Sequence, residues 1–355
     1  MKKIKTNHYD IFISNQNSSL INKFISKNKY SKVFILVDSN TNKYCLDLFL
    51  EKHLSGIDFK IVKIKEGEEN KNTKNLYSAW TKISKLGGDR NSLLINLGGG
   101  LVSDLGGFVA STYNRGIDFI NVPTTLLSIV DASIGGKVGI NIGRLKNQVG
   151  VFNYPKLILI DTSFLETLPK REINSGFAEM LKHGLIFEKN YYKTLSELKN
   201  IDSKLSTELI YNSIKIKNEV VNRDPKEKNF RKILNFGHTL GHAIESHFLG
   251  KKKAKNLLHG EAISIGMILE SYISYKILKL PYEQCKNIKQ TINNNFKKVK
   301  INKEDLKSIL RLIKFDKKNR GEKVLFVLLY EIGKIKIDIE VPKKIVIESF
   351  EFYNS

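Results

Sequence analysis

The sequence predicts an α/β domain built on a parallel sheet, followed by a mainly α-helical domain, because its two halves differ in pattern. In the first half, short apolar runs such as 33–38 and 92–97 alternate with helix-like segments, which is typical of strands buried in a parallel sheet. Residues 171–315 instead show long segments with the apolar periodicity of helices. A chain of 355 residues can form two such domains, and we expect them to span 1–168 and 169–355.

The individual elements follow from the same patterns. Strands are predicted at 8–14, 33–38, 59–64, 92–97, 119–122 and 156–161, and helices at 41–53, 73–86 and 101–113. Near the C-terminus, segments 324–329 and 334–341 are predicted to form a hairpin that is followed by a short helix. Several of the strands run into polar or glycine-rich turns, so ligand-binding groups are expected at the carboxyl ends of the strands.

The net charge of +23, from 59 basic and 36 acidic residues, is the unusual feature of the composition. It makes nucleic-acid binding a competing hypothesis, which predicts DNA binding that weakens steeply with salt. The lysines are spread along the chain, however, with only short clusters such as 251–253, and no nucleic-acid motif is present. The sequence therefore argues against a nucleic-acid partner. A minority of the lysines could instead bind an anionic substrate.

The sequence also indicates where the protein resides. Its N-terminus lacks the apolar segment of a signal peptide, and no run approaches the roughly 18 apolar residues that a membrane span requires. Cys45 and Cys285 lie far apart without a Cys-x-x-Cys pattern, and they are predicted to be ordinary packing residues in a reducing compartment. We therefore expect a cytoplasmic protein with no membrane partner.

A triple glycine, Gly98–Gly100, follows one predicted strand and opens the next predicted helix. Free backbone N–H groups at a helix N-terminus attract an anion, typically a pyrophosphate, and glycine allows it to approach closely. The segment Gly98–Asp104 matches neither the G-x-G-x-x-G nor the Walker A pattern. It indicates a nucleotide site, and a tight turn that binds nothing is the alternative.

Residues 123–152 combine charged side chains with glycines in an otherwise apolar stretch. Asp131 lies among apolar residues, where an unpaired carboxylate is costly. Lys137 follows a Gly-Gly pair, and Lys146 and Asn147 are predicted to lie in the same glycine-rich loops. Such groups suit an oxyanion such as phosphate, so the set is interpreted as a ligand site. A solvated loop position is the alternative for any single member.

The second half contains the pattern of a metal site. His238 and His242 are four residues apart and share a helix face. His259 opens a later helix-like run, and Glu179 lies on a helical stripe far upstream. Imidazoles with one carboxylate suit a catalytic Zn²⁺ that keeps an open coordination position. The residues alone leave the choice of imidazoles open, and hydrogen-bonded core histidines are the alternative.

Further charged residues fall on apolar helical stripes. Lys182 follows Glu179 by three residues, either near a site or as an ordinary surface pair. Lys217 continues a stripe of branched aliphatic residues, which suggests a charged ligand or a site carboxylate, with a snorkelling side chain as the alternative. Arg231 and Asn235, four residues apart, extend the polar face that leads into the first histidine.

Taken in order, these segments resemble the 3-dehydroquinate synthase family, within the sugar phosphate cyclases. The resemblance runs from Lys32 to Tyr330, and its most specific parts are Gly98–Asp104, Arg115–Gly116, Val122–Leu127, Val130–Lys137, Lys146–Asn147, Thr167–Glu172, Gly176–Lys182, Leu234–Glu245, Leu258–Glu261 and Asp316–Asn319. It implies an α/β N-terminal Rossmann-like parallel-sheet domain that binds NAD, followed by a mainly α-helical metal-binding C-terminal domain.

The resemblance also implies an activity in the shikimate pathway. Enzymes of the family are lyases that convert 3-deoxy-D-arabino-heptulosonate 7-phosphate to 3-dehydroquinate and phosphate. The reaction passes through transient oxidation by NAD, phosphate elimination, re-reduction, ring opening and aldol closure. The nearest alternative is another sugar phosphate cyclase, which would form an amino-dehydroquinate, an inosose or a valiolone. The complete set of lysines and asparagines, with His242, favours dehydroquinate.

Site residues are carried over from the family position by position. The metal, Zn²⁺ or Co²⁺, is assigned to Glu179, His238 and His259, so that His242 becomes a substrate-side residue. The catalytic and substrate positions are Arg115, Asp131, Lys137, Asn147, Lys182, Lys217, Arg231, Asn235 and His242. The cofactor positions are Asp38, Asn40, Glu68, Lys71, Gly99, Gly100, Leu101, Asp104, Thr124, Thr125, Lys137, Lys146, Phe164, Thr167, Leu168 and Glu172.

The resemblance further implies a homodimer, in which Arg115 reaches the active site of the other subunit. Lys317 or Lys318 is implied to assist departure of the phosphate. Two positions depart from the family pattern. Ser103 stands where the family often has glycine, so its hydroxyl either crowds the pyrophosphate turn or adds a donor, and residues 138–145 match the usual loop only loosely.

Overall fold

Contacts within the chain divide it into two units, Met1–Pro169 and Lys170–Ser355. The computed structural model describes residues 1–14, 17–143, 145–198, 201, 205–249, 256–313 and 324–355. Among the helices in those ranges, none has the length and apolar character needed to cross a membrane. The predicted fold class, a parallel α/β sheet followed by mainly helical segments, is confirmed. Lys317 and Lys318 lie outside the described residues.

A seven-stranded sheet is the framework of the first unit. The strands of this unit are β1 (Lys2–Lys5), β2 (Asp10–Ser14), β3 (Lys32–Asp38), β4 (Lys60–Ile64), β5 (Ser92–Gly98), β6 (Asp118–Pro123), β7 (Lys137–Ile142), β8 (Leu145–Phe152) and β9 (Leu157–Asp161). The sheet order is β1-β2-β9-β6-β5-β3-β4, and every neighbouring pair is parallel except the antiparallel β1 and β2. Parallel pairing brings the carboxyl ends of β3, β5, β6 and β9 to one edge.

Helices cover both faces of this sheet, because its central strands are apolar on both sides. The helices are α1 (Leu20–Asn28), α2 (Ser39–Tyr44), α3 (Leu46–His53), α4 (Thr73–Lys85) and α5 (Gly100–Thr112). Phe34 and Leu36 of β3 pack in one core with residues of α4 and α5. Ile35 and Val37 belong to the core on the opposite face, which α1 and α3 complete.

The prediction of one continuous helix after β3 is wrong. Residues 41–53 form no single helix, since α2 ends at Tyr44 and α3 begins at Leu46. Cys45 terminates the first helix and starts the second, with backbone angles of φ −121° and ψ −28°. Periodicity alone missed this break because Cys45, at the break, is buried in the same core as Leu46 and Phe49 of α3 and does not interrupt the apolar pattern.

Strands β7 and β8 pair antiparallel as a separate two-stranded ribbon. Lys137 opens β7, whereas Lys146 and Asn147 lie in β8, so the predicted glycine-rich loops are strands. Gly139 and Gly150 explain the difference, because each permits the opposite backbone to approach closely. A Cβ on Gly139 would lie 2.4 Å from the Val149 carbonyl oxygen.

The second unit is mainly helical. Its elements are α6 (Lys170–Phe187), α7 (Lys189–Ser196), α8 (Thr207–Arg223), α9 (His238–Phe248), α10 (His259–Leu278), α11 (Tyr282–Asn295), α12 (Lys303–Ile313), the antiparallel strands β10 (Leu325–Glu331) and β11 (Lys334–Glu340), and α13 (Lys343–Asn354). Helix α10 is buried over most of its length and packs against α6, α9, α11, α13 and β10. The predicted C-terminal hairpin and terminal helix are confirmed.

Candidate metal centre and cofactor region

The triple glycine forms the turn from β5 into α5. The strand ends at Gly98, and α5 begins at Gly100. A Cβ on Gly98 would lie 2.5 Å from Val102, and one on Gly99 would lie 3.0 Å from Thr125. At Gly100 the nearest atom would be the Ala132 Cβ at 3.6 Å, an ordinary contact. Protein side chains therefore pack closely against Gly98 and Gly99, whereas there is room beside Gly100, the first residue of the helix.

An ion-pair network links four predicted cofactor residues beside this turn. The Lys71 Nζ lies 2.6 Å from Asp104 and 3.7 Å from Glu68, and the Lys146 Nζ lies 3.6 Å from Glu68. Burial alone would lower the pKa of Lys71, but attraction to Asp104 and Glu68 outweighs it and raises that pKa. Burial raises the pKa of Asp104, and Lys71 offsets this only in part. The network fixes side chains from three separate segments.

Asn141 connects this network to the ribbon, and sequence reasoning missed it. Its amide Nδ2 donates to Glu68 Oε1 at 3.0 Å, and its Oδ1 accepts from the backbone N–H of Asn147 at 2.8 Å. Asn147 has a left-handed φ of 51°, so the Asn141 contact supports an unusual backbone conformation. No local motif marks Asn141, since its two partners lie elsewhere in the sequence.

Other predicted cofactor residues follow the carboxyl ends of neighbouring strands. Asp38 caps α2, where its carboxylate accepts from the backbone N–H of Thr41 at 2.8 Å, and Asn40 is exposed in that helix. The Thr124 backbone donates to the Gly98 carbonyl at 3.1 Å, and Thr125 starts the following turn. After β9, the 3₁₀ helix Thr162–Thr167 contains Phe164, which is buried, and Thr167, and it ends at Leu168. The two remaining residues are Leu101, buried in α5, and Glu172 in α6.

Ser103 is buried in α5, with 1% of its surface exposed. Its hydroxyl has no hydrogen-bond partner among the residues that the structure describes. Asp131 lies in the short helix Ser128–Ala132, and its negative charge contributes to the raised pKa of Asp104, after burial. Arg115 is exposed, and its φ of 69° follows a φ of 49° at Asn114, so two successive residues are left-handed.

In the second unit, the predicted metal ligands come together. The Glu179 Oε1 lies 3.7 Å from the His238 Nε2 and 3.5 Å from the His259 Nε2. Ligands about 2.0–2.1 Å from a tetrahedral Zn²⁺ are separated by roughly 3.3–3.5 Å, so the separations of Glu179 from the two imidazoles are close to those of ligands that share one ion. Glu179 is fully buried and also forms an ion pair with Lys182. Burying a carboxylate is costly unless cations or a metal compensate.

His242 belongs to the same imidazole cluster. Its ring centroid lies 5.0 Å from that of His238 and 5.8 Å from that of His259. One ring nitrogen from each of the three histidines falls within 4.8 Å of the others, so the cluster by itself could also hold an ion. The geometry thus leaves open the choice of imidazoles that the sequence left open, and the distances from Glu179 to His238 and His259 favour those two.

The second ring nitrogen of each assigned imidazole ligand is also engaged. The His238 Nδ1 lies 3.1 Å from the Phe236 carbonyl oxygen, and the His259 Nδ1 lies 3.2 Å from Glu245 Oε2. These contacts leave both Nε2 atoms directed to Glu179, as a metal requires. Burial opposes protonation of His259, but Glu245 and Glu179 outweigh it and raise its pKa to about 9. The site is therefore built to attract a cation.

Glycines allow helices α9 and α10 to pack closely enough to form this centre. A Cβ on Gly266 would lie 1.9 Å from the Gly237 carbonyl oxygen, and one on Gly241 would lie 2.7 Å from Ile263. Gly237 itself has a φ of 78°, which other residues rarely adopt. Glu270 of α10 reinforces the junction, because its carboxylate accepts from the backbone N–H groups of Gly237 and Leu240.

The predicted substrate residues of this unit are buried cations and an amide. Lys217 is 6% exposed, so the snorkelling alternative is wrong, and Arg231 is 2% exposed. The Arg231 guanidinium donates to the Pro225 carbonyl oxygen at 2.6 Å. The Asn235 amide donates to Glu227 at 2.8 Å. Glu227, Glu245 and Glu270 were all missed in the sequence, although the spacing of Glu245, seven residues after His238, signals the same helix face.

Comparison with known proteins identifies the family. The family profile "3-dehydroquinate synthase N-terminal" matches residues 61–175, and "3-dehydroquinate synthase C-terminal" matches residues 176–319. A 3-dehydroquinate synthase of Parabacteroides distasonis is 40% identical over 337 residues, covering 94% of this chain and 95% of that protein. The 3-dehydroquinate synthase of Dictyoglomus thermophilum is 38% identical over 362 residues, covering 98% and 96%.

Solved structures of two synthases share the fold. A 2-deoxy-scyllo-inosose synthase, complexed with carbaglucose-6-phosphate, NAD⁺ and Co²⁺, is 24% identical with a TM-score of 0.83, and the match covers 99% of each chain. The 2-epi-5-epi-valiolone synthase ValA of Streptomyces hygroscopicus, with NAD⁺ and Zn²⁺ bound, is 22% identical with a TM-score of 0.84, covering 99% of this chain and 98% of that one. The chain matches both profiles and is 38–40% identical to these two relatives over nearly its whole length, so it belongs to the 3-dehydroquinate synthase family.

Proposed function

We propose that this chain converts 3-deoxy-D-arabino-heptulosonate 7-phosphate to 3-dehydroquinate and inorganic phosphate, as a lyase of aromatic amino acid biosynthesis. Family membership supports the reaction, and the observation that carries it is the convergence of Glu179, His238 and His259. A protein that used its +23 charge to bind nucleic acid would have no need for a buried carboxylate between two imidazoles.

The donor set fits one divalent ion, Zn²⁺ or Co²⁺, held by Glu179, His238 and His259. When bound, the ion supplies Lewis acidity toward the hydroxyl oxygens of the substrate. Around it, Lys182 is ion-paired to Glu179, while His242, Lys217, Arg231 and Asn235 are the substrate-side residues. Buried cations attract an anionic substrate strongly, since water screens them little. These residues bind and orient a carboxylate and phosphate without moving protons themselves.

The first unit is proposed to hold NAD⁺, which supplies a transient hydride acceptor. The room at Gly100 and the N-terminus of α5 suit its pyrophosphate. Asp38, Asn40, Thr124, Thr125 and the 3₁₀ turn after β9 are at the same sheet edge, where α/β proteins bind nucleotides. The network of Glu68, Lys71, Asp104 and Lys146 fixes the rim of this region. Lys137 and Asn147, in the ribbon, are proposed to bind the substrate phosphate, with Asp131 nearby.

We propose a homodimer in which Arg115 completes the partner's site. Strand β8 supports this, because the side chains of Ile142 in β7 and of Val149, Val151 and Phe152 in β8 are 40–53% exposed. Such an apolar strand surface is typical of an interface. The Asn153 amide donates to Ser111 at 2.8 Å and thereby ties the end of this strand to the end of α5, four residues before Arg115. Free, buried Cys45 and Cys285 suit a cytoplasmic location.

A phosphate-release assay tests the activity. Purified protein with NAD⁺ and the heptulosonate phosphate should release phosphate, lose this activity after chelation and regain it with Zn²⁺ or Co²⁺. His259→Ala should lower kcat by about 10³-fold or more, because loss of a ligand removes the bound ion. His247→Ala in the neighbouring helix α9 is the control, since His247 pairs with Asp305 at 2.8 Å and its loss should leave turnover unchanged. Turnover that ignores both chelator and His259→Ala would reject the proposal.

The substrate itself distinguishes the cyclase alternatives. Hexose phosphates and a seven-carbon sugar phosphate without the carboxylate should be turned over at least about 10²-fold less efficiently, since a site built to bind a carboxylate discriminates strongly against a substrate that lacks it. Preference for one of those compounds would assign the chain to another cyclase reaction. Salt-sensitive DNA binding without turnover would instead support the nucleic-acid hypothesis.

Mixing two inactive variants tests the dimer. If Arg115 acts in the partner's site, Arg115→Ala and His259→Ala proteins should each be inactive, and dissociation and reassociation together should restore about a quarter of wild-type activity. This value follows because half of the dimers are mixed and each contains one complete site. A Val151→Lys variant should shift light-scattering mass toward the monomer. Mixtures that remain inactive would show that Arg115 acts within its own chain.

A further inference from the structure

Glu245 lies against the back of one imidazole in the candidate metal centre. Its carboxylate Oε2 is 3.2 Å from the His259 Nδ1, and the residue is 3% exposed. It projects from α9, the helix that begins with His238, whereas His259 begins α10. One helix therefore provides both a ligand and the group that holds the other ligand.

The two imidazoles have different acceptors behind them. The His238 Nδ1 faces the carbonyl oxygen of Phe236 at 3.1 Å, a neutral group of the main chain. The His259 Nδ1 faces a carboxylate, which binds an N–H more strongly and more directionally. An acceptor at Nδ1 fixes the tautomer in which the Nε2 lone pair is free for a metal. His259 depends on its acceptor more, because it is partly exposed while His238 is buried.

We propose that Glu245 is a positioning residue of the metal centre, which holds the His259 ring in its ligating orientation and tautomer. The inference rests on the metal site of the proposed function. It requires no direct contact between Glu245 and the substrate or the ion. It also explains why a carboxylate is buried seven residues after His238, where an apolar residue would pack α9 at lower cost.

Metal binding to three purified proteins tests the role. Glu245→Ala should weaken Co²⁺ affinity about 10–100-fold, the usual effect of removing an acceptor behind a metal-bound histidine. Glu245→Gln keeps the volume and offers a neutral carbonyl, so its affinity should fall less than that of the alanine variant. Asp305→Asn is the control, because Asp305 holds His247 of the same helix at 2.8 Å, away from the cluster, and should bind Co²⁺ as the wild type does.

The visible spectrum of bound Co²⁺ and the rate of its transfer to a chelator separate positioning from stability. Positioning predicts an altered spectrum and faster transfer from both Glu245 variants, together with circular dichroism like that of the wild type. If Glu245→Ala does not fold, the spectrum and transfer rate of Glu245→Gln decide between a positioning role and a role in stability alone. Wild-type affinity, spectrum and transfer rate in the folded variants would overturn the proposal.

The result is independent of turnover. If wild-type protein binds Co²⁺ through His259 but releases no phosphate, the proposed reaction fails while the role of Glu245 is still measured. If His259→Ala binds Co²⁺ as tightly as the wild type, the metal assignment and the role of Glu245 both fail.

Discussion

The cofactor region and the metal centre are assembled in opposite ways. In the first unit, Asp38, Gly98–Gly100 and Thr124 follow the ends of parallel strands, so hydrogen-bonded register brings them to one edge. In the second unit, Glu179, His238 and His259 come from three helices and meet only because those helices pack closely. The first site depends on strand order, and the second depends on the shape of helix surfaces.

The difference teaches where each site is vulnerable. A turn after a strand tolerates a small side chain if there is space, as there is at Gly100. A helix crossing without that space does not, because close-packed interiors transmit a displacement to every residue of the helix. Adding one methyl group, by replacing glycine with alanine, should therefore have different effects in the two regions. At the turn it should change ligand binding, and at the helix crossing it should disrupt packing. The predictions below follow that contrast from the largest expected effect to the smallest.

Gly266→Ala should break the metal centre. The new Cβ would lie 1.9 Å from the Gly237 carbonyl oxygen, so α9 and α10 must separate. We expect a loss of about 3 kcal/mol in the free energy of unfolding and a loss of stoichiometric metal, measured by denaturation and metal analysis. Ser271→Ala in the same helix removes only a hydroxyl bonded to the Ile268 carbonyl and should keep the metal. Full metal content in Gly266→Ala would contradict the packing argument.

Lys217→Met should remove a substrate contact and leave the metal centre intact. The side chain lies buried on α8, and methionine keeps its volume without the charge. We expect kcat/KM to fall about 10²-fold with unchanged metal content, because one buried cation contributes several kcal/mol toward an anion. Lys215→Met, on the exposed face of the same helix, should behave as the wild type. Equal effects of both substitutions would argue against a substrate role for Lys217.

Gly100→Ala should weaken NAD⁺ binding with little effect on folding. Among the described residues, the added Cβ meets only Ala132, at 3.6 Å, so the melting temperature should change little. It projects into the room at the start of α5, and we expect the Kd for NAD⁺ to rise about tenfold, as measured by calorimetry. Metal content serves as the internal control. An unchanged Kd would mean that the pyrophosphate lies elsewhere.

Asp224→Asn should produce the smallest change, and it depends on pH. Burial opposes the charged form, but backbone N–H groups of Lys228, Asn229 and Arg231 outweigh it and lower the pKa of Asp224. A lowered pKa stabilises the fold above the unfolded-state value, about 3.8, and this contribution disappears as pH falls through the folded-state pKa. Because the carboxylate is partly exposed and water screens it, the variant should lose less than about 1 kcal/mol near pH 7.

Denaturation over a range of pH measures this effect. The difference between wild type and Asp224→Asn should be complete above about pH 5 and should narrow as pH falls below about 3.8 and through the lowered pKa of Asp224, because protonation removes the same charge from the wild type. Lys226→Ala, at an exposed position of the same turn, provides the comparison. A difference that is constant over this range would show that the carboxylate charge contributes nothing to the turn.

Most of the fold was predictable because its signals are local. The buried runs of β3 and β5 and the triple glycine between β5 and α5 specify strand, turn and helix within a few residues. The break at Cys45 was not predictable, since Cys45 is buried in the same core as the apolar residues of α3 and does not interrupt their pattern. The ribbon was also missed, because Gly139 and Gly150 suggest loops until the opposite strand is known.

The sequence by itself determined the chemistry of this protein, since it fixes which side chains exist: a carboxylate, three clustered histidines, and lysines on apolar stripes. Only the tertiary structure decided how they combine. Glu179 meets His238 and His259 because glycines admit close crossings of α10 with α6 and with α9, and Glu245 reaches His259 across the second of these. Distances between helices depend on side-chain volumes at their crossing, and no single segment carries that information.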